Sequence, residues 1–508
     1  VFNASSKRNN RVLEEVISFY DYIEIQPLPN YSYLVEKEEI SSEVLKKVIL
    51  DIVATAKRLN KIVVATGDVH YLNPADRIYR DIMVANQAVG GIIHPLFPHR
   101  RNGSGYFESP QQEFRSTGEM LELLSWLGKE NAYEFVITNS NLIADKIEKI
   151  IPISDQLFTP TIENCAEKLK SICFENAHAL YGDVLPEYIE NRLNVELEGI
   201  IGHGFSVTYY IARELIKKAH EDGYIVGSRG SVGSSFAATM AEITEVNPLP
   251  PFYRCPKCKK VIFHDMSDGI TSGFDLPEKD CPDCGTNMVR DGQNIPFETF
   301  LGFSAEKVPD IDLNFPADYQ ATAHQYTKVL LGEDKVFRAG TISTVQDKTA
   351  YGYVRKYFEV IGRDPNKIKG CYTAALAKGC TEIKKTTGQH PGGIVVIPSD
   401  MDVYDFTPVQ YPAGDIDAAW KTTHFDFHAI HDTILKLDML GHVDPQALKM
   451  MMDLANLKLE DIPMSDQNIF SLFTSDEALK MSHKHTIPDI GIAGIPEFGT
   501  NFVKQLVR

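Results

Sequence analysis

The chain has 508 residues, which at roughly 100–200 residues per domain predicts three or four domains. Hydrophobic residues make up 43% and charged residues 24%, ordinary globular values that exclude a disordered or fibrous chain. The net charge of −18 argues against a protein that simply coats nucleic acid, and no apolar run approaches the roughly 20 residues of a membrane helix. The sequence opens on Val1 in what reads as mid-domain sequence, so an excerpt of a longer protein is expected.

In chain order, 22–26 predicts a short strand, 44–59 an amphipathic helix and 61–65 a buried strand, a β–α–β order that implies an α/β domain. Residues 92–117, rich in His, Pro, Arg and Gly, predict a long surface loop, and 118–150 a helical stretch. The helical pattern breaks between Pro152 and Pro160, which marks a boundary. Residues 163–223 predict mostly helix with a turn at 201–204, followed by a Gly/Ser-rich stretch at 227–235. Strands are expected near 306–315, 393–397 and 433–440, with a basic helical stretch between the first two, and helix resumes over 446–508.

Four of the eight cysteines are paired as Cys255-Pro-Lys-Cys258 and Cys281-Pro-Asp-Cys284. Two such pairs match the spacing of a zinc ribbon, in which two tight turns each present two thiolates to one tetrahedral ion. Four thiolates close the coordination sphere, so a structural Zn²⁺ is expected, within an insertion at 251–293. The other cysteines are expected to pack as small hydrophobes.

Residues 321–385 hold nine Lys and three Arg against six Asp or Glu, a net +6 within an acidic chain. Such a sign reversal marks a polyanion-facing segment or a solvated helical face.

In PDIDLNF at 309–315, Asp310 and Asp312 stand at i and i+2, which on a strand puts both on one face. Two adjacent like charges suit hard divalent ions such as Mg²⁺. A second strand, TILKLDML at 433–440, leaves Lys436 and Asp438 together opposite Leu435, Leu437 and Met439. Asp438 in so apolar a strand needs a partner, either Lys436 or a metal shared with Asp310 and Asp312.

The stretch VGSRGSVGSS at 226–235 sets Gly227, Gly230 and Gly233 among Ser228, Ser231, Ser234, Ser235 and Arg229, with a helix beginning after it. Backbone N–H groups at a helix start, small hydroxyls and one guanidinium make an anion site, read here as phosphate-binding. KKTTGQHPGG at 384–393 predicts a polar loop that cradles a phosphate or template backbone, or simply connects helix to strand. His424, Asp426 and His428 alternate onto one strand face, read as a polar hydrogen-bonded surface.

The stretches GSRGSVGSS, PDIDLNF, RAGTISTVQDKTAYG, KKTTGQHPGGIVV and LKLDMLGH, with the four-Cys insertion between the first two, resemble the PolC-type DNA polymerase III alpha subunits, the C-family bacterial replicases. The resemblance runs in order from about residue 11 to the C-terminus. It implies a multidomain α/β and α+β fold: the C-terminal part of a PHP (polymerase and histidinol phosphatase) domain at 1–155, a polymerase-beta-like palm at 156–320 and 386–445, a helical thumb at 321–385, and the start of the fingers at 446–508.

The same resemblance implies DNA-directed DNA synthesis by a two-metal mechanism, with Asp310, Asp312 and Asp438 holding two Mg²⁺. The incoming triphosphate would lie against Gly227, Ser228, Arg229, Gly230, Ser231, Gly233, Ser234 and Lys436, and DNA against Lys348, Lys384, Lys385 and His390. Asp68 and His70 match a PHP metal motif, with Glu24 as a further ligand of additional divalent metals. Primer–template DNA, dNTPs, a sliding clamp and other replisome proteins are the implied partners, in the bacterial cytoplasm and without a membrane. The proofreading exonuclease and most of the fingers are expected outside this chain, which alone is expected to be inactive. The competing readings are a non-catalytic zinc-ribbon DNA-binding scaffold and a PHP-type metal-dependent phosphoesterase.

Overall fold

Two short strands, Tyr22–Ile25 (β1) and Ile62–Ala65 (β2), pair in parallel in the computed structural model, which describes residues 10–86, 88–89, 92–97, 109–302, 309, 311–480 and 490–507. The helix Ser42–Arg58 joins them, started by Ser41, whose hydroxyl accepts from the Val44 N–H. Its Leu45, Val48, Ile49, Ile52, Val53 and Ala56 recur at helical spacing and are buried against Ile23, Ile25 and Val63. The β–α–β order expected for this region is therefore present. The chain divides into two compact units, Val1–Ile151 with Ile342–Thr386 and Pro152–Thr341 with Thr387–Arg508. The first unit also holds the two-residue strands Ala88–Val89 (β3) and Ile92–Ile93 (β4). In a second core of that unit, Ile82 and Met83 pack with Val345, Val354, Phe358 and Leu376.

The second unit is built on a mixed sheet. Its strands are Gly227–Arg229 (β5), Asp312–Pro316 (β9), Val336–Thr344 (β10), Lys384–Val396 (β11), Val409–Gln410 (β12), Thr422–Asp426 (β13) and Leu435–His442 (β14), in the order β12-β13-β10-β11-β14-β9-β5. The helices Cys165–Tyr181, Glu187–Gly202 and Ser206–Glu221 share one core with the sheet, including Leu169, Leu193, Ile211, Leu313, Ile394 and Leu437. Burial along β14 alternates strictly at first: Leu435, Leu437 and Met439 face the core, Lys436 and Asp438 the other side. Phe252–Arg254 (β6), Val261–Phe263 (β7) and Val289–Asp291 (β8) form a separate three-stranded sheet, ordered β7-β6-β8, with a small core of Tyr253, Cys255, Leu276, Cys281 and Met288.

Three local expectations are corrected. The stretch 321–385, expected as a basic helical stretch, also contains β10, whose Val, Thr and Ile residues suit a strand paired on both sides. The polar loop expected at 384–393 is the first part of β11. Gly388 and Pro391 argue locally against a strand, but pairing to β10 and the Ser343 hydroxyl on the Thr386 carbonyl (3.2 Å) outweigh that preference. His428 does not share a strand face with His424. It lies in the helix Phe427–Ile430, where the Asp426 carboxylate accepts from the His428 N–H at 2.9 Å. Among the described residues, no helix is long and apolar enough to cross a membrane.

Candidate active site

Gly393, Asp438, Asp312 and Arg229 are register partners across four adjacent strands, β11, β14, β9 and β5. Partners in register project to the same face, so the Asp312 and Asp438 carboxylates stand side by side. Asp310 lies outside the described residues. The Asp438 carboxylate is held on one side only. Lys436 Nζ is 2.7 Å from its Oδ2, a direct contact, whereas Oδ1 is buried and makes no hydrogen bond. Asn314, two residues beyond Asp312 and so on the same face, also has a buried Oδ1 without a hydrogen bond. A buried acceptor left unpaired is costly, and a cation bound there would satisfy it. The residues present therefore fit a divalent metal.

Lys436 is itself restrained, its Nζ lying 3.9 Å from the Phe427 ring centroid. His390 folds back on its own turn: Nδ1 accepts from Gly393 N at 2.6 Å and from Gly392 N at 3.3 Å, and lies 3.9 Å from Asp438 Oδ1. With Nδ1 an acceptor, the ring proton sits on Nε2. Burial, then the charge of Lys436, pushes the His390 pKa down, which favours that neutral form.

The Gly/Ser stretch divides into a scaffold and an accessible edge. Ser234 and Ser235 are buried, and their hydroxyls are spent internally, Ser234 on the Ser231 carbonyl and Ser235 on Glu196 Oε2 (3.0 Å). Gly233 is buried as well, and the Ser228 hydroxyl donates to Thr244 at 2.7 Å. Gly230 is exposed at φ +79°, a conformation that suits glycine, and Ser231 is half-buried. Beneath the loop, fully buried Glu196 also accepts from the Ala237 N–H (2.9 Å) and pairs with Arg192, which donates onward to the Ser234 carbonyl at 3.1 Å. Burial pushes the Glu196 pKa up, against the pull of Arg192.

Sequence reasoning missed Glu196, Arg192 and Asn314, and also Gln320, His324 and Arg338, which reach the main chain beside Asp438 and His390. Asn314 continues the alternation of Asp310 and Asp312, a signal that was readable. The others bond main-chain atoms or lie under a loop, and leave no spacing pattern.

Away from this centre, Cys255, Cys258, Cys281 and Cys284 bring their sulfurs within 4.8 Å of one another, with no disulfide among them. The separations include 3.4 Å (Cys255–Cys284), 3.5 Å (Cys258–Cys281) and 3.7 Å (Cys284–Cys258). Sulfurs about 2.3 Å from one tetrahedral zinc stand about 3.8 Å apart, so the set fits that ion. Hydrogen bonding with the Thr286 hydroxyl, and from its N–H, lowers the Cys284 thiol to about 6. Although the Lys260 N–H acts to lower it, Cys258 is pushed up to about 12 by the thiols of Cys255 and Cys281. Four thiolates this close need a cation to ionise together.

In the first unit, Asp68, at φ +45°, receives Gln112 Nε2 at 2.5 Å and has His70 Nε2 at 3.4 Å. Glu24 is not gathered with them and instead accepts from the Thr66 hydroxyl at 3.4 Å. Among the described residues, the four cysteines are the one group of three or more such side chains close enough to share a metal. Lys384 and Lys385 are exposed on the first part of β11, and Lys348 is exposed in the helix Asp347–Val360.

The family model for the Bacterial DNA polymerase III alpha NTPase domain matches residues 167–375 and 364–441, and that for the Bacterial DNA polymerase III alpha subunit finger domain matches 444–508. The chain belongs to the bacterial DNA polymerase III alpha family. It is 53% identical over 511 residues to a DNA polymerase III PolC-type of Listeria welshimeri and 50% identical over 510 residues to those of Bacillus subtilis and Staphylococcus saprophyticus. Each match covers 100% of this chain and 34% of the relative, so the chain spans about a third of the length of these curated relatives. The NTPase-domain matches of the polymerase III alpha family include Arg229, Asp312, Lys436 and Asp438, and the finger match begins two residues after β14 ends at His442.

Proposed function

We propose that this chain carries the catalytic centre of a replicative DNA polymerase, which transfers a nucleotide from a dNTP to a primer 3′-hydroxyl on a DNA template and releases pyrophosphate. The observation that carries the reading is the pairing of Asp312 with Asp438 across β9 and β14, with one buried carboxylate oxygen left without a hydrogen bond. Two Mg²⁺ held there would activate the primer hydroxyl and neutralise the leaving phosphates. Asp312 and Asp438, together with Asp310, supply the oxygen ligands. Lys436 pairs with Asp438 and offers positive charge to a phosphate. Arg229 and the accessible edge at Gly230 and Ser231 receive the triphosphate, while Ser234, Ser235 and Glu196 hold that edge in shape.

In this reading the seven-stranded sheet is the palm, the helices Asp347–Val360 and Gly370–Lys378 belong to the thumb, and 446–508 begin the fingers. Lys348, Lys384 and Lys385 contact the DNA backbone, and the four cysteines bind one structural Zn²⁺. Residues 1–155 are part of a PHP domain, for which Asp68 and His70 are metal candidates. Clamp binding, the exonuclease and assembly into a cytoplasmic replisome belong to the whole protein.

The test is primer extension by the full-length protein with Mg²⁺, comparing wild type with Asp438→Ala. Loss of incorporation with primer–template affinity retained is expected. Near-normal extension would remove the reading.

A further inference from the structure

Past Asp438 the two central strands part. The β11–β14 ladder runs from the pair Val396 and Leu435 to the pair Gly393 and Asp438, then stops. Just beyond that pair, the carbonyls of Met439, one residue on, and Pro391, two residues on, are taken by side chains from elsewhere. Gln320 Nε2 donates to both, at 2.7 Å to Met439 and 3.2 Å to Pro391. His324 Nε2 donates to the Met439 carbonyl at 3.2 Å, and Arg338 Nη2 to the Pro391 carbonyl at 3.0 Å. Arg338 Nη1 also donates to His324 Nδ1 at 2.6 Å, so helix Gln320–Leu331 and strand β10 are tied at the same opening.

We propose that Gln320, His324 and Arg338 form a main-chain clamp that sets where Asp438 and His390 stand relative to each other, as positioning residues for the reaction proposed above. The inference rests on that reading. Met439 follows Asp438 and Pro391 follows His390, so each clamped carbonyl is one residue from a side chain of the centre. His390 Nδ1 and Asp438 Oδ1 are 3.9 Å apart across the opening.

The gap is closely fitted. A Cβ at Gly392 would lie 2.5 Å from Leu440 Cδ2 and 2.9 Å from the Met439 carbonyl oxygen, and one at Gly441 would lie 2.7 Å from Gln320 Oε1. The proton arrangement is also single-valued. His324 must donate at Nε2 and accept at Nδ1, which only the neutral ring can do. Burial, then the charge of Arg338, lowers its pKa to about 4 and keeps it in that form. Each carbonyl accepts from two of the three side chains, so removing one donor weakens the tie without leaving the oxygen unpaired, and it loosens β14 beside Asp438. Displacements of about 1 Å near a reacting centre cost rate far more than binding.

The experiment uses the full-length protein with His324→Leu, His324→Gln and, as a partly exposed second site, Gln320→Leu. Asp438→Ala serves as the control for the underlying reading. Three quantities are read: the single-turnover incorporation rate, the dNTP KM, and Mn²⁺ affinity without nucleotide by electron paramagnetic resonance. His324→Leu is expected to lower the rate and the Mn²⁺ affinity by about 10-fold or more with KM changed by less than about 3-fold, as for other residues that orient metal ligands. His324→Gln, which keeps a donor and an acceptor, is expected to restore both. Gln320→Leu is expected to follow His324→Leu in direction, and it decides the question if His324→Leu does not fold. Unchanged rate and Mn²⁺ affinity in a folded leucine variant would overturn the clamp, as would a His324→Gln variant impaired equally. An active Asp438→Ala would instead overturn the polymerase centre itself, whatever the clamp variants do.

Discussion

His324 donates to the carbonyl oxygen of Met439, the residue that follows Asp438 on the central strand, at 3.2 Å. The ring is therefore needed neutral, with its pKa at about 4 against an ordinary 6.5. Above pH 6.5 it is neutral folded or unfolded, and its full contribution to stability is present. As pH falls from 6.5 towards 4, the unfolded chain takes up a proton that the folded chain refuses, so stability is lost across that window, by about 3 kcal/mol in total. Trp420, whose ring centroid is 6.3 Å from that of His324, is one of only two tryptophans and reports on this region. Urea midpoints followed by tryptophan fluorescence should fall more steeply between pH 7 and 4.5 in wild type than in His324→Gln.

Replacing Asp312 or Asp438 by Asn removes a charge but little volume. Incorporation should fall by about 1000-fold or more in the full-length protein, while primer–template affinity changes by less than about 3-fold. For Asp438→Asn a second effect is expected, because Lys436 loses its 2.7 Å partner and raises the local positive charge. Apparent Mg²⁺ affinity should therefore drop further for Asp438→Asn than for Asp312→Asn in a metal titration of activity.

The cysteine cluster should carry one Zn²⁺ per chain by elemental analysis. Cys258→Ser should release it and leave the three-stranded sheet of β6, β7 and β8 sensitive to proteolysis, because metal binding and ordering of such small sheets are coupled. The core of that sheet is small and includes two of the four ligands themselves, Cys255 and Cys281. Zinc absent from never-chelated protein, or retention in the variant, would contradict the assignment.

Lys384 and Lys385 are exposed at the start of β11. Changing both to Glu should weaken duplex binding alike for every DNA sequence and flatten its salt dependence, by about 0.9 in log–log slope for each phosphate no longer neutralised. The transition temperature should hardly move, since neither side chain contributes to a core. A salt titration of primer–template affinity checks this.

Arg192→Met should be among the most destabilising single changes in the second unit. It leaves the Glu196 carboxylate, buried under the Gly/Ser stretch, without its cation, and breaking one side of such a pair costs about 3–5 kcal/mol. Removing both charges with Arg192→Met and Glu196→Leu together should recover part of that loss, which denaturation midpoints of the four proteins would measure.

Much of this site was readable because it obeys local rules. Period-two alternation places Lys436 and Asp438 on one face of β14, and Cys-x-x-Cys spacing anticipates the sulfur cluster. What alternation cannot supply is register. That Asp438 stands beside Asp312, and Asp312 beside Arg229, depends on hydrogen bonding between strands far apart in the chain. The same blindness turned the Gly- and Pro-containing first part of β11 into a loop, because its partner β10 outweighs local preference. Ser234 and Ser235 looked like ligand donors by composition, yet their burial, with the hydroxyls spent on the Ser231 carbonyl and Glu196, is a packing result that no hydroxyl count reveals. The hydrogen bonds of Gln320, His324 and Arg338 end on main-chain oxygens, which every residue has, so no sequence pattern marks them.

The row from Gly393 through Asp438 and Asp312 to Arg229 has a consequence for synthesis on the ribosome. Arg229 is made first, Asp312 next and Asp438 last, and the strand that separates Gly393 from Asp312 in space is the final one to emerge. Until β14 leaves the exit tunnel, β9 and β11 have an open slot between them, with apolar Leu313 and Ile394 on the strands that flank it. Between the release of β11 and that of β14 the middle of this sheet is unfilled, a state in which unpaired strand edges are prone to mispairing. Insertion of β14 closes the sheet and assembles the acidic pair in one event, so no partly made chain can hold the centre.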